Sequence, residues 1–186
     1  RQQSNNSVMF HKKPTKWELS YIFDRMVEAG GSEPGFINAE AALKRAPHFK
    51  GLNPCAEILL GNKSFCNLVE VDWGKFKNDF GGLQEAVEVV ARANYRQTCV
   101  NLDDGVLQRS WHELNEFLRL CGVGATGIVK FLDHHKGKGN TKSMLSSIRS
   151  SAQKGANSMA DELGLPQPKL VCTVKPSGTL SKIMDT

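Results

Sequence analysis

Asn53-Pro54-Cys55-Ala56-Glu57, followed by Phe65-Cys66-Asn67-Leu68, is the stretch on which the reading of this chain turns. An amide, a thiol and a carboxylate alternate at positions 53, 55 and 57. In an extended segment side chains repeat with period two, so the three groups would project from one side. Pro54 keeps Asn53 in β or polyproline space, which supports the extended expectation. Such a triplet can hydrogen-bond a hydroxyl, attack through sulfur and move a proton within one small volume. A second thiol, Cys66, follows Cys55 by 11 positions, enough chain to turn and come back.

Each residue alone has a plainer reading. A free cysteine is usually a small buried hydrophobe. An Asn before Pro is turn chemistry, and a Glu at a strand end is usually solvated. The joint pattern is what carries weight. Asn-Pro-Cys-x-Glu-Ile with a nearby Cys-Asn-Leu resembles the catalytic finger loop of ribonucleotide reductases, and the short cysteine spacing resembles their adenosylcobalamin-dependent class. Further stretches resemble the same family in the same order. Ser4-Asn5-Asn6-Ser7-Val8 is similar to the segment after the specificity loop of the monomeric ribonucleoside-triphosphate reductases. Glu33-Pro34-Gly35-Phe36-Ile37-Asn38 resembles the turn and strand before the finger loop. Gly122-Val123-Gly124-Ala125-Thr126-Gly127, after Arg119, looks like a glycine-spaced helix of the family. Thr173-Val174-Lys175-Pro176-Ser177-Gly178-Thr179 resembles its substrate-phosphate loop. Residues 70–110 and 133–168 carry no signature.

The resemblance implies a set of roles. Cys55 would be the thiyl site that takes the 3′-hydrogen, Glu57 would accept the 3′-hydroxyl proton, and Asn53 would hold the sugar hydroxyls. Cys66 would be one of two reducing thiols, with its partner upstream of Arg1. The loop Pro176, Ser177, Gly178, Thr179, Leu180 and Ser181 would bind the nucleotide phosphates. A glycine among small hydroxyl residues, between strand and helix, suits an anion, although the same residues are common turn chemistry. Arg1, Gln2, Gln3 and Ser4 fall where the specificity loop would end. Adenosylcobalamin would be the cofactor, and a ribonucleotide the substrate. A deoxynucleotide would be the effector, and thioredoxin or a similar dithiol the reductant. A monomer is expected over a dimer.

Composition fits an ordinary soluble globular protein. The 186 residues are 40% hydrophobic and 23% charged, with a formal charge of +5. No apolar run reaches transmembrane length and no signal peptide opens the chain, so a cytoplasmic protein is expected, with no membrane partner. Five cysteines without a Cys-x-x-Cys pair favour reduced thiols over a disulfide scaffold or a zinc site. The densest basic stretch, Lys136–Lys142, lacks interleaved aromatics, which argues against a nucleic-acid partner. Adjacent His134 and His135 cannot share one face and read as a surface pair, so no metal site is expected.

Periodicity adds the scaffold. Thr15-x-x-Glu18 reads as a capping box before a helix with apolar Leu19, Ile22, Phe23, Met26 and Val27, stopped at Gly30-Gly31. Val8–Phe10, Gly35–Asn38, Ala56–Leu60, Cys66–Val71 and Lys169–Val174 read as strands. Helices are predicted over Leu83–Arg96, from a second capping box at Ser110-x-x-Glu113, and over Thr141–Leu163. Cys121 is expected on the apolar face of the second of these, Cys172 in a strand, and both in the core. Strands alternating with helices give an α/β class. The resemblance implies more: part of a ten-stranded α/β barrel, with the finger loop through its centre. Residues 1–186 would be a stretch of one catalytic barrel domain, cut at both ends and inactive in isolation. Two rivals remain: the large subunit of a reductase served by a separate metal-bearing radical subunit, and a thiol–disulfide oxidoreductase using Cys55 and Cys66.

Overall fold

The computed structural model describes residues 4–137 and 139–186 and divides into two compact units, Arg1–Asn62 and Lys63–Thr186. The first three residues of the specificity-loop expectation, Arg1, Gln2 and Gln3, lie outside the described residues.

The first unit opens with β1 (Ser7–Phe10), α1 (Lys16–Ala29) and β2 (Gly35–Asn38), with the two strands parallel and Val8 opposite Phe36. The capping box forms as expected. Thr15 Oγ1 accepts from the Glu18 amide at 3.1 Å, and Glu18 Oε2 accepts from the Thr15 amide at 2.7 Å. Gly30 ends the helix in the left-handed conformation. The apolar residues of α1 are not buried, however; Val27 is 80% exposed. A short α2 (Ala39–Arg45) is capped by Asn38. It leads to an antiparallel hairpin of β3 (Gly51–Leu52) and β4 (Leu59–Leu60), in register Gly51 to Leu60 and Leu52 to Leu59.

The second unit holds a parallel sheet in the order β5 (Leu68–Asp72), β6 (Gly122–Thr126), β7 (Cys172–Thr173). Between β5 and β6 run a 3-10 turn at Trp73–Phe76, α3 (Phe80–Gln97) and α4 (Arg109–Leu118). Between β6 and β7 run α5 (Ile128–His135) and α6 (Thr141–Leu163), and α7 (Thr179–Met184) follows β7. Parallel neighbours joined through helices give the α/β class that the alternation predicted. The described residues contain strands only in these sheets of two, two and three.

One face of the β5–β6–β7 sheet is apolar. Val71, Val123 and Ala125 share a core with Leu83, Val87 and Ala91 of α3 and Ile148, Ala152 and Met159 of α6. Small residues let α3 and α6 approach closely. A Cβ at Gly155 would stand 2.2 Å from the Glu88 carbonyl oxygen, so only glycine fits there. Of the apolar residues of α6, Ile148, Ala152 and Met159 are buried, whereas Leu145 and Leu163 stay exposed.

Three local expectations need correction. Gly122–Thr126 is a buried strand, not a helix: each residue has a parallel partner in β5, and Gly124 leaves room for the Glu70 and Lys175 side chains. The second capping box does not form. Helix α4 begins at Arg109 with no side-chain cap, and the Ser110 hydroxyl accepts instead from Lys63 Nζ at 2.7 Å. Cys121 is buried as expected but lies beyond α4, its amide bonded to the Leu170 carbonyl; Cys172 stands in β7 and is exposed.

Burial pushes the Cys121 thiol up to about 12, with Cys99 and Cys172 adding to the effect. A thiol kept protonated when folded but free to ionise when unfolded makes the unfolded state the weaker proton binder. Stability should therefore fall as pH rises from about 9 towards about 12, by at most about 1.4 kcal/mol per pH unit. Denaturant unfolding across that range, compared with Cys121→Ala, should show the variant's slope to be shallower. In the same assay Gly155→Val should lose about 1–3 kcal/mol or more, because the valine must push α3 and α6 apart.

Candidate active site

Asn53, Cys55 and Glu57 occupy the loop of the β3–β4 hairpin. The loop is not extended. The Ala56 amide donates to the Asn53 carbonyl at 3.0 Å, and Ala56 takes a positive φ of 64°, so residues 53–56 form a tight turn. The alternation expected of a strand is therefore absent, and strand pairing resumes only at Leu59. The turn still brings the amide and the carboxylate together. Asn53 Nδ2 donates to Glu57 Oε2 at 2.6 Å, while Asn53 Oδ1 accepts from the Ile58 amide at 3.0 Å. Asn53 is only 8% exposed, so its side chain works as an internal brace across the loop. Cys55 is exposed at the tip and Glu57 is half-buried.

The geometry has a chemical sense. A hydrogen bond from an amide fixes the carboxylate's orientation. The neighbouring thiol projects outward, where a substrate can reach it.

Cys66 belongs to the second unit and is exposed, in the coil that enters β5. The residue after it is firmly held. Asn67 Nδ2 donates to the Asn94 carbonyl at 3.1 Å, and Asn94 Nδ2 donates back to the Asn67 carbonyl at 3.3 Å. Asn94 is fully buried; its Oδ1 accepts from the Gly122 amide at 2.7 Å, and its Nδ2 also reaches Gln97 Oε1 at 2.9 Å. Sequence reasoning missed Asn94. The available signal was an amide on the apolar stripe of α3, three residues after Ala91 and seven after Val87.

Pro176–Ser181 forms the expected turn between β7 and α7. Gly178 adopts φ 55° and ψ −122°, a conformation that an L side chain rarely takes. The Leu180 and Ser181 amides donate to the Ser177 and Gly178 carbonyls, and Ser181 Oγ donates to the Gly178 carbonyl at 2.6 Å. Pro176, Gly178, Thr179 and Leu180 are exposed; Ser177 and Ser181 are half-buried. Ser4, the described residue of the specificity-loop expectation, accepts from Asn6 Nδ2 through its carbonyl and hydroxyl oxygens. Among the described residues no helix is long and apolar enough to cross a membrane.

Removing the brace should loosen the loop. Asn53→Ala leaves the buried Ile58 amide without its acceptor, a loss of about 1–3 kcal/mol. Hydrogen exchange at the Ile58 amide should accelerate on this substitution, with α3 and α6 unchanged; an unaltered Ile58 rate would mean that the side chain is not the brace.

No family model matches the chain. Curated adenosylcobalamin-dependent ribonucleoside-triphosphate reductases do. That of Lactobacillus acidophilus is 26% identical over 98% of this chain and 28% of its own length, and that of Lacticaseibacillus paracasei is 27% identical over the same shares. The chain thus spans about 28% of the length of the relatives it matches. A crystal structure of a B12-dependent (class II) ribonucleotide reductase superposes with a TM-score of 0.80 at 24% identity, covering 96% of this chain and 29% of that one. Over almost its whole length, then, the chain is similar to one segment of the adenosylcobalamin-dependent ribonucleoside-triphosphate reductases, and it has the fold of a class II ribonucleotide reductase over that segment.

Proposed function

We propose that the chain is a stretch of the single catalytic barrel domain of an adenosylcobalamin-dependent ribonucleotide reductase. It acts in the reduction of ribonucleoside triphosphates, or diphosphates, to 2′-deoxynucleotides. The observation that carries this reading is the hairpin loop in which Asn53 holds the Glu57 carboxylate two positions after an exposed Cys55. The ten-stranded barrel belongs to the same proposal, supported by the likeness in fold. So do a deoxynucleotide effector, a thioredoxin-type dithiol reductant and a monomeric enzyme. The relatives' names favour cobalamin over a separate metal-bearing radical subunit.

The exposed thiol at the loop tip suits a radical delivered from outside the loop. When bound, the cofactor supplies the first radical; we assign none of the described residues to holding it. The remaining chemistry falls to this chain's own groups. Cys55, as a sulfur radical, takes the 3′-hydrogen atom of the ribose, forming S–H and leaving a carbon radical. Glu57 accepts the 3′-hydroxyl proton, which it can do within hydrogen-bond reach. The 2′-hydroxyl departs as water with a proton from the reducing thiols. Cys66 and a second thiol give two electrons and two protons in all and end as a disulfide. Glu57 gives its proton back to the 3′ oxygen, and the 3′-hydrogen returns from Cys55, which restores the sulfur radical. Asn53 orients Glu57 and the sugar hydroxyls throughout. The Pro176–Ser181 turn holds the phosphates through backbone N–H groups near the α7 start.

In the full-length enzyme Cys55→Ser should abolish turnover, because an alcohol O–H bond is too strong to yield the equivalent oxygen radical. Normal deoxynucleotide production would exclude Cys55 as the radical site. Glu57→Gln should retain nucleotide binding and lower the single-turnover rate by about 10²–10⁴; an unchanged rate would remove Glu57 from the proton transfer.

A further inference from the structure

Glu70 and Lys175 are used by no step above, yet they form the most enclosed ion pair of the second unit. Lys175 Nζ lies 3.1 Å from Glu70 Oε1, with the two side chains 20% and 1% exposed. Neither carboxylate oxygen makes a hydrogen bond among the described residues, so the ammonium supplies the compensation for the buried charge. The register explains how they meet. Glu70 on β5 stands opposite Gly124 on β6, and Gly124 opposite Thr173 on β7, two residues before Lys175. Period two puts Thr173 and Lys175 on one side of the chain. Both partners reach over the middle strand at its glycine. A methyl group at 124 would stand 3.3 Å from both Glu70 Cγ and Lys175 Cβ, and 3.0 Å from the Val69 carbonyl oxygen.

We propose that the Glu70–Lys175 pair, seated over Gly124, is a positioning device that fixes the start of the Pro176–Ser181 turn against β5. Lys175 is the residue immediately before Pro176, and β7 itself is only two residues long. Backbone pairing therefore ends at Thr173 and leaves the chain from Val174 onward without a ladder to hold it. A buried ion pair adds little net stability, since desolvation offsets its attraction, but it is costly to break from one side, because the survivor is left uncompensated. The pair thus sets where the turn's backbone amides point. Its bearing on nucleotide binding rests on the phosphate reading given above.

Two measurements on the full-length enzyme separate the two layers. In Glu70→Gln, hydrogen exchange at the amides of residues 177–181 should accelerate about tenfold or more, with α3 and α6 unchanged. In the double variant Glu70→Gln/Lys175→Met, which removes both charges, thermal stability should return towards the parent while the turn's exchange stays fast. Exchange at the turn equal to the parent's in both variants, or acceleration spread evenly over the second unit in both, would overturn the positioning role. The affinity for a ribonucleoside triphosphate, set against that for the bare nucleoside, tests the phosphate reading separately. About a tenfold loss for the triphosphate alone is expected in both variants. Fast exchange with unchanged triphosphate affinity would uphold the ion pair as a positioning device and remove the turn from phosphate binding.

Discussion

A buried amide must find partners for its donors and acceptor, and Asn94 finds them in three places at once. Its side chain joins α3 to the Gly122 amide at the start of β6 and to the Asn67 carbonyl at the entry to β5, while its own carbonyl receives Asn67 Nδ2. Because Asn94 is fully buried, each of these bonds constrains the elements that make it. The arrangement sets where α3 lies along the sheet, and with it the seating of α6, which contacts α3 closely enough that only glycine fits at position 155. It also fixes the residue next to Cys66. The placement of Cys66 is thus tied to the packing of the second unit through a single side chain.

The hairpin of the first unit solves a similar problem with fewer residues. Strands β3 and β4 pair over two residues each, too little to define a six-residue loop. Asn53 supplies the missing order by accepting from Ile58 and donating to Glu57. Cys55 is left exposed between two positions that one side chain has fixed. A loop between such short strands needs such a device if its geometry is to persist without a regular ladder.

Much of this could be read from local signals. The Thr15–Glu18 capping box, the glycine stop at Gly30, the strand Gly35–Asn38 and the helix Thr141–Leu163 all follow from short-range chemistry, and all form. What local signals could not give depended on partners distant in sequence. The period-two reading of residues 53–57 overlooked a turn closed by a positive φ at Ala56. The helix expected at Gly122–Thr126 came from the resemblance alone, and the segment's place as a strand depends on β5 and β7 on either side. Ser110 failed as a cap because Lys63 claims its hydroxyl. The expected roles of Cys55, Glu57 and Cys66 came from the motif. The structure adds the amide–carboxylate contact and the exposure of both thiols.

The central claim divides the two thiols by role: Cys55 begins the reaction by taking a hydrogen atom, and Cys66 supplies electrons afterwards. Release of tritium from 3′-tritiated ribonucleotide by the full-length enzyme, measured together with product analysis, tests that division directly. Cys66→Ser should release tritium without forming deoxynucleotide, and Cys55→Ser should release none. Deoxynucleotide at the normal yield from Cys66→Ser with a dithiol present, or tritium release from Cys55→Ser, would contradict the account.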